Sequence, residues 1–334
     1  MNYTILIYSI ISFFLFFFCA KISYKFNLID IPNKRKVHSE ATAYTGGIAV
    51  SFSLVLSILI FDISDLKLNY ILSIAFLVSI IGLIDDKFEL NVGGKLSLQI
   101  IPIFYIILFN NLYIDTLGNY EYFQLNLGAF NIPFTFLSVL LLINSFNYFD
   151  GMDGTLSLAL ITVMIILYFL SYGQNLELFF IIILIPIFIF LFFNFAFFKL
   201  PKVFLGDSGS LCLGFIVSFI LIYFAINDFA HPILLAWSIA IFVYEFLSIN
   251  FIRIKMKRNP FKAEKDHLHH LIFKITNSNL LTNLFICLTN LILFLIGYLA
   301  FILINPLASL ISFILLFLTF FIIRNKYSIK VFPL

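Results

Sequence analysis

Eleven apolar runs, each close to the length a helix needs to cross a bilayer, leave this chain few ways to fold. They centre on residues 3–22, 46–63, 68–84, 96–111, 132–147, 155–172, 176–197, 210–227, 231–251, 280–303 and 305–324. In hydrocarbon a backbone N–H or C=O finds no water, so such runs must satisfy themselves as helices. Composition agrees: 62% of the residues are hydrophobic and 11% charged, more apolar surface than a soluble core can use. The expectation is an all-α, polytopic integral membrane protein with about 11 transmembrane helices, read as a single transmembrane domain over 1–334. Cys19, Cys212 and Cys287 all fall in apolar runs and read as small hydrophobes, not as a disulfide framework. The first run has no basic stretch before it and no evident cleavage site, so it reads as a retained helix.

Lys and Arg set the expected orientation, because they collect on the cytoplasmic side of membrane proteins. Nineteen of the twenty fall on one face; only Lys67 falls on the other. The N-terminus is therefore expected outside and the C-terminus in the cytoplasm, with loops 21–45, 85–95, 147–155, 198–210 and 252–279 cytoplasmic. The one long outer connection, 110–131, alternates in polarity and carries Gly118, Asn119 and Gly128, which predicts a small hairpin. All the polar clusters that suggest chemistry lie on the cytoplasmic face.

The most telling cluster is NSFNYFDGMDGT, Asn144 to Thr155. Asn144, Asn147, Asp150 and Asp153 recur every three residues, a spacing that stacks them on one helical face. Ionisable groups at the end of a membrane helix are expensive and mark a functional site by default. Asp85-Asp86-Lys87 follows the third run; adjacent carboxylates repel unless a cation such as a phosphate-bound divalent metal sits nearby. Gly93, Gly94 and Lys95 come next and could line a phosphate. FLGDSGS, Phe204 to Ser210, opens the eighth run, where Ser208 or Ser210 offers a helix cap and Asp207 a ligand for a hard cation. The first loop reads DIPNKRKVH, Asp30 to His38, with Gly46 and Gly47 beyond; Asp30 beside Pro32 also suits a capped turn. The ninth loop, Arg253 to Lys274, joins seven basic residues to KDHLHHL. His267, His269 and His270 lack zinc-site spacing and suit polyphosphate or nucleotide recognition better. Glu245, inside the ninth run, demands a partner that the sequence leaves unnamed.

Several carboxylates, a basic loop and a membrane beside them suit phosphoryl transfer between a soluble nucleotide conjugate and a lipid-borne acceptor, with Mg2+ holding one or two carboxylates and substrate phosphates. On DIPNKRKVH with Gly46-Gly47, Asp85-Asp86, NSFNYFDGMDG, Asn194 with PKVFLGDSGS, and Arg253 through NPFKAEKDHLHHLI, the chain resembles the polyprenyl-phosphate N-acetylhexosamine-1-phosphate transferases, the WecA and MraY superfamily. The blocks stand in family order from residue 30 to 272, and the HLHH form is similar to the WecA-like branch.

That resemblance implies a reaction in which a UDP-N-acetylhexosamine and undecaprenyl (polyprenyl) phosphate give polyprenyl-diphospho-sugar and UMP, with Mg2+ or alternatively Mn2+. It implies catalytic roles for Asp85, Asp86, Asp207 and Asp30, with Asp207 and Asp86 at the metal and Asp30 matching an acidic residue proposed as a base. A phosphate monoester is mostly a dianion at neutral pH, so charge neutralisation should outweigh proton removal and Asp207 should outrank Asp30. Substrate contacts are implied for Asn144, Asn147, Asp150, Asp153, Asn194, Lys95, Arg253, Arg258, His267, His269 and His270. The implied setting is the inner membrane of a bacterium, with the bilayer as partner, no nucleic acid and a homodimer admitted.

The chain departs from the family pattern at three places. SEATAYT follows His38 where prolines and an Arg are common, Lys265 stands for the usual Arg, and Glu245 stands where many WecA-like members have Asp. These bear on the sugar preference, not on the metal site. The alternatives are an MraY-like transferase for the muramoyl-pentapeptide nucleotide and, from another class, a transporter or flippase for a polyprenyl-linked solute. The latter would show midplane charges and an inverted repeat, of which only Glu245 is a sign.

Overall fold

The computed structural model describes residues 2–32, 40–61, 63, 65–259 and 266–331. Lys34, Arg35, Lys36 and His38 of the first basic loop, and Lys262 and Lys265 of the ninth, lie outside the described residues. Along the chain come α1 (Asn2–Lys25), β1 (Ile29–Asp30), β2 (Thr42–Ala43), α2 (Gly46–Ile60), α3 (Leu66–Phe88) and α4 (Val92–Phe109). After these come β3 (Thr116–Asn119), β4 (Gln124–Asn126), α5 (Asn131–Phe149), α6 (Thr155–Leu170), α7 (Glu177–Asn194) and α8 (Gly206–Ile226). The chain closes with α9 (Pro232–Ser238), α10 (Ala240–Lys255), α11 (Leu268–Thr276), α12 (Asn279–Leu303) and α13 (Pro306–Val331).

The protein is thus an all-α, multi-pass membrane protein, as its sequence predicts. Among the described residues eight helices are long and apolar enough to cross a bilayer. A ninth span results if α9 and α10, bent by 73° at their junction, are one broken helix; α2 and α6 are apolar but shorter. The third expected run, 68–84, forms a helix of 23 residues. Its polar ends extend it: Asp65 caps the start by accepting the Lys67 N–H at 2.7 Å, and the chain leaves through a left-handed Glu89.

The chain forms two compact units, Met1–Asn111 with Asn175–Ile220 and Leu112–Gln174 with Leu221–Leu334. In the first, α2 packs against α1, α3 and α7. Thr45 does not cap α2 through its side chain; the N–H groups of Gly46 and Gly47 donate instead to the Phe204 and Leu205 carbonyls at 3.0 and 2.9 Å. This satisfies two of the donors that any helix start leaves unpaired. Just before, β1 pairs antiparallel with β2, and Asp30 stands opposite Thr42 in the ladder. Ala43 bridges to Val203, and the Phe204 N–H reaches the Ala43 carbonyl at 2.7 Å. The start of α2 is thereby stitched to the segment that opens α8. A Cβ on Gly47 would run into the backbone of Ser208 and Gly209, and one on Gly82 of α3 into that of Asp207 and Ser208. Only glycine lets both helices come this close to the first turn of α8.

In the second unit α5 packs on α10 and α6 on α12. Trp237 is fully buried, its indole N–H on Ser309 Oγ at 2.9 Å, and the Tyr244 hydroxyl donates to the Phe313 carbonyl at 2.6 Å. The α9–α10 break would strand backbone groups in an apolar setting. Asn290 of α12 takes them up, donating to the Ser238 carbonyl at 2.9 Å and accepting the Ile241 N–H at 3.4 Å. The expected hairpin is present, β3 pairing antiparallel with β4.

Candidate active site

In the first unit the chemistry gathers at the start of α8. Asp85 and Asp86 end α3, and because successive helical residues point about 100° apart, they face different neighbours. Asp86 turns to α8: Oδ1 accepts the Asp207 N–H at 3.1 Å and Oδ2 the Ser208 N–H at 3.3 Å. The sequence offers Ser208 or Ser210 as the cap of α8; the cap is Asp86, borrowed from α3, while the Ser208 hydroxyl donates to the Leu205 carbonyl. A carboxylate at a helix N-terminus is favoured by the dipole as well as by the two bonds.

Asp85 turns to α4. Its Oδ1 accepts the Leu90 N–H at 3.0 Å, and Oδ2 lies 2.7 Å from Lys95 Nζ. Asn91 caps α4 by accepting the Gly94 N–H at 2.8 Å, which fixes Lys95 in the first turn. The same ammonium pairs with Asp207 Oδ2. Two carboxylates from α3 and α8 therefore converge on one cationic centre. Tyr44 stands nearby: burial first, then the charges of Asp86 and Asp30, push its hydroxyl pKa up, which brings Asp30 within electrostatic reach of this cluster. Asn194, at the end of α7, donates to the Val203 carbonyl at 2.9 Å, and its Oδ1 is buried with no hydrogen-bond partner among the described residues.

In the second unit the asparagine–aspartate stripe is half helix and half turn. Asn144 and Asn147 lie on α5, but that helix ends at Phe149; Asp150 is its C-cap, and Asp153 sits in the turn before a left-handed Gly154. The threefold spacing thus continues in sequence after the helix has stopped. Asn283 of α12 holds the turn, donating to the Asp153 carbonyl at 2.9 Å and accepting the Thr155 hydroxyl at 2.6 Å. A Cβ on Gly151 would strike the imidazoles of His269 and His270, so that glycine lets the histidine loop lie against the turn.

The histidine loop rests on buried charge. Arg253 of α10 grips Asp266 with two bonds, 3.2 and 2.5 Å, so its fork is spent on holding the loop. Burial alone would raise the Asp266 carboxyl, but the bonds and charge of Arg253 outweigh it and hold the pKa below the usual range. Arg258 follows the end of α10, half-buried. The partner that Glu245 demands is Arg324 of α13, which meets both its oxygens at 2.9 and 3.0 Å. Burial, and next the positive Arg253, push His267 down to about 3; burial and the neighbouring His270 push His269 well below the usual value. Among the described residues His267 Nδ1 and His269 Nε2 are buried without a partner, and buried polar atoms left so are uncommon unless something else pairs with them.

Sequence reasoning missed Asn283, Asp266 and Arg324. Asn283 is one amide in an apolar run, and Arg324 reads there as one more cytoplasmic charge. Only tertiary packing reveals what either holds.

Residues 68–225 match the family model described as glycosyl transferase family 4. An undecaprenyl-phosphate alpha-N-acetylglucosaminyl 1-phosphate transferase of Escherichia coli O157:H7 is 31% identical over 280 residues, 79% of this chain and 76% of that relative. Proteins of the same description from Yersinia pestis and Pasteurella multocida are also 31% identical, over 81% and 77% of this chain and 76% and 74% of theirs. On a family model that matches residues 68–225 and a relative 31% identical over 79% of its length, the chain belongs to glycosyl transferase family 4.

Proposed function

We propose that this protein transfers an N-acetylhexosamine 1-phosphate from a UDP-sugar to undecaprenyl phosphate at the cytoplasmic face of a bacterial inner membrane, releasing UMP. The observation that carries this reading is the convergence of Asp85, Lys95 and Asp207 at the start of α8. The relatives' shared description supports N-acetylglucosamine as the first sugar to test. In the reaction an oxygen of the lipid phosphate bonds to the sugar-bearing phosphorus. The bond from that phosphorus to the bridging oxygen breaks, and UMP leaves with the electron pair.

The residues fit Mg2+. Mg2+ takes hard oxygen ligands, characteristically one or two carboxylates with water and substrate phosphates completing the shell. Asp85 and Asp207 already share one positive centre, whereas no group of three or more His, Cys, Asp or Glu is gathered for a metal among the described residues. When bound, the ion would polarise phosphoryl oxygens and neutralise charge developing on them. Asp86 keeps Asp207 in place by fixing the turn that carries it. Lys95 is a point charge able to follow a phosphate oxygen. In the second unit the unpartnered His267 and His269 nitrogens and the Asp150–Asp153 turn are assigned to the nucleotide and its phosphates.

The test is UMP release by the purified protein in detergent with Mg2+, undecaprenyl phosphate and a panel of UDP-N-acetylhexosamines. One donor should give UMP, and Asp207→Ala should lower the rate at least about 100-fold, the scale of losing a main electrostatic stabiliser. A folded protein that releases no UMP from any donor, beside a working relative, would overturn the assignment in favour of transport.

A further inference from the structure

We infer that Arg324, on the last apolar helix and outside every sequence motif, is a positioning residue for the histidine loop. The inference deepens the functional reading above and rests on it for its kinetic test, while its structural test stands alone. Arg253, Asp266, Glu245 and Arg324 are each at most 5% exposed. Buried charges persist only where paired and hydrogen-bonded, and here the two cations and two anions satisfy one another.

What distinguishes Arg324 from a plain membrane staple is where its remaining bonds go. Besides meeting both oxygens of Glu245, its Nη2 donates to the backbone carbonyl of Asp266. Glu245 Oε1 in turn accepts the backbone N–H of Leu268 at 2.9 Å, one of the donors that the start of α11 leaves unpaired. The pair therefore holds the backbone on both sides of His267. His269 and His270 follow within the same turn of α11, so their placement against Gly151 depends on this clamp.

The experiment compares wild type, Arg324→Gln and the exchanged double variant Glu245→Arg/Arg324→Glu, all as full chains in detergent. Three quantities are read: the thermal unfolding midpoint, amide hydrogen exchange at residues 266–272, and KM for the UDP-sugar and for undecaprenyl phosphate separately. Arg324→Gln should speed exchange in the loop about 10-fold or more and leave α12 unchanged, the pattern of local opening. It should raise the UDP-sugar KM by about 10-fold with the lipid KM shifted less than about 2-fold, a loss of binding to one substrate only. The exchanged pair keeps the ion pair but sets a carboxylate against the Asp266 carbonyl and removes the acceptor of the Leu268 N–H. It should recover thermal stability without recovering loop protection or KM. Full recovery of all three would overturn the inference, because a staple would then suffice. So would an Arg324→Gln protein with unchanged loop exchange. If wild type releases no UMP, the functional reading fails, and the exchange data still decide the role of Arg324.

Discussion

His267 and His269 are neutral imidazoles in the folded protein at pH 7, and that neutrality has a pH consequence. Both pKa values are lowered on folding, His267 to about 3, so below pH 6.5 the unfolded loop binds protons that the folded loop refuses. Stability is present above 6.5 and is lost as pH falls from there toward 3. The protection factors of residues 266–272, taken against the intrinsic exchange rate at each pH, should fall between pH 7.5 and 5.0, and His269→Gln should flatten that response. Single residues also show how far side-chain chemistry reads through. Asp85, Lys95 and Asp207 could be named from the sequence because carboxylates, glycines and a lysine stand beside apolar runs. Asp86 could not be told from Asp85, since adjacency in sequence hides the turn that sends one to Lys95 and the other to α8.

The helices themselves follow from the apolar runs, and each run coincides with a helix or with the broken α9–α10 pair. The break at Ile239 has no glycine or proline to announce it; it survives because Asn290, on another helix, replaces the missing ladder bonds. Asn290→Leu keeps the volume and removes both partners, which should cost about 2 kcal/mol or more for two buried groups left unsatisfied. Thermal unfolding in detergent would show it as a lowered midpoint, while Asn283→Leu should instead disturb the Asp153 turn and weaken nucleotide binding. The stripe from Asn144 to Asp153 misleads for a related reason: periodicity says which face residues share only while the helix continues, and Gly151 and Gly154 permit it to end.

Both compact units are discontinuous in sequence, which no run of apolar residues reveals because pairing of distant helices decides it. A cut in the loop at Gly173, where nothing crowds the glycine, separates residues 1–173 from 174–334 and leaves each unit incomplete on both sides. Each fragment expressed alone should be degraded, and the two together should accumulate and regain UMP release; a stable 1–173 fragment would contradict the division.

The late arrival of α8 matters during synthesis. Until its first turn emerges, Asp86 has no backbone donors to cap and Asp85 shares Lys95 with nobody. The half-made protein then carries two carboxylates at the end of α3 without the partners that α8 supplies. That wait is set by the 121 positions that separate Asp86 from Asp207. Slowing translation between α4 and α8 would lengthen this vulnerable interval, and surveillance proteases would meet the chain there before any later defect could matter.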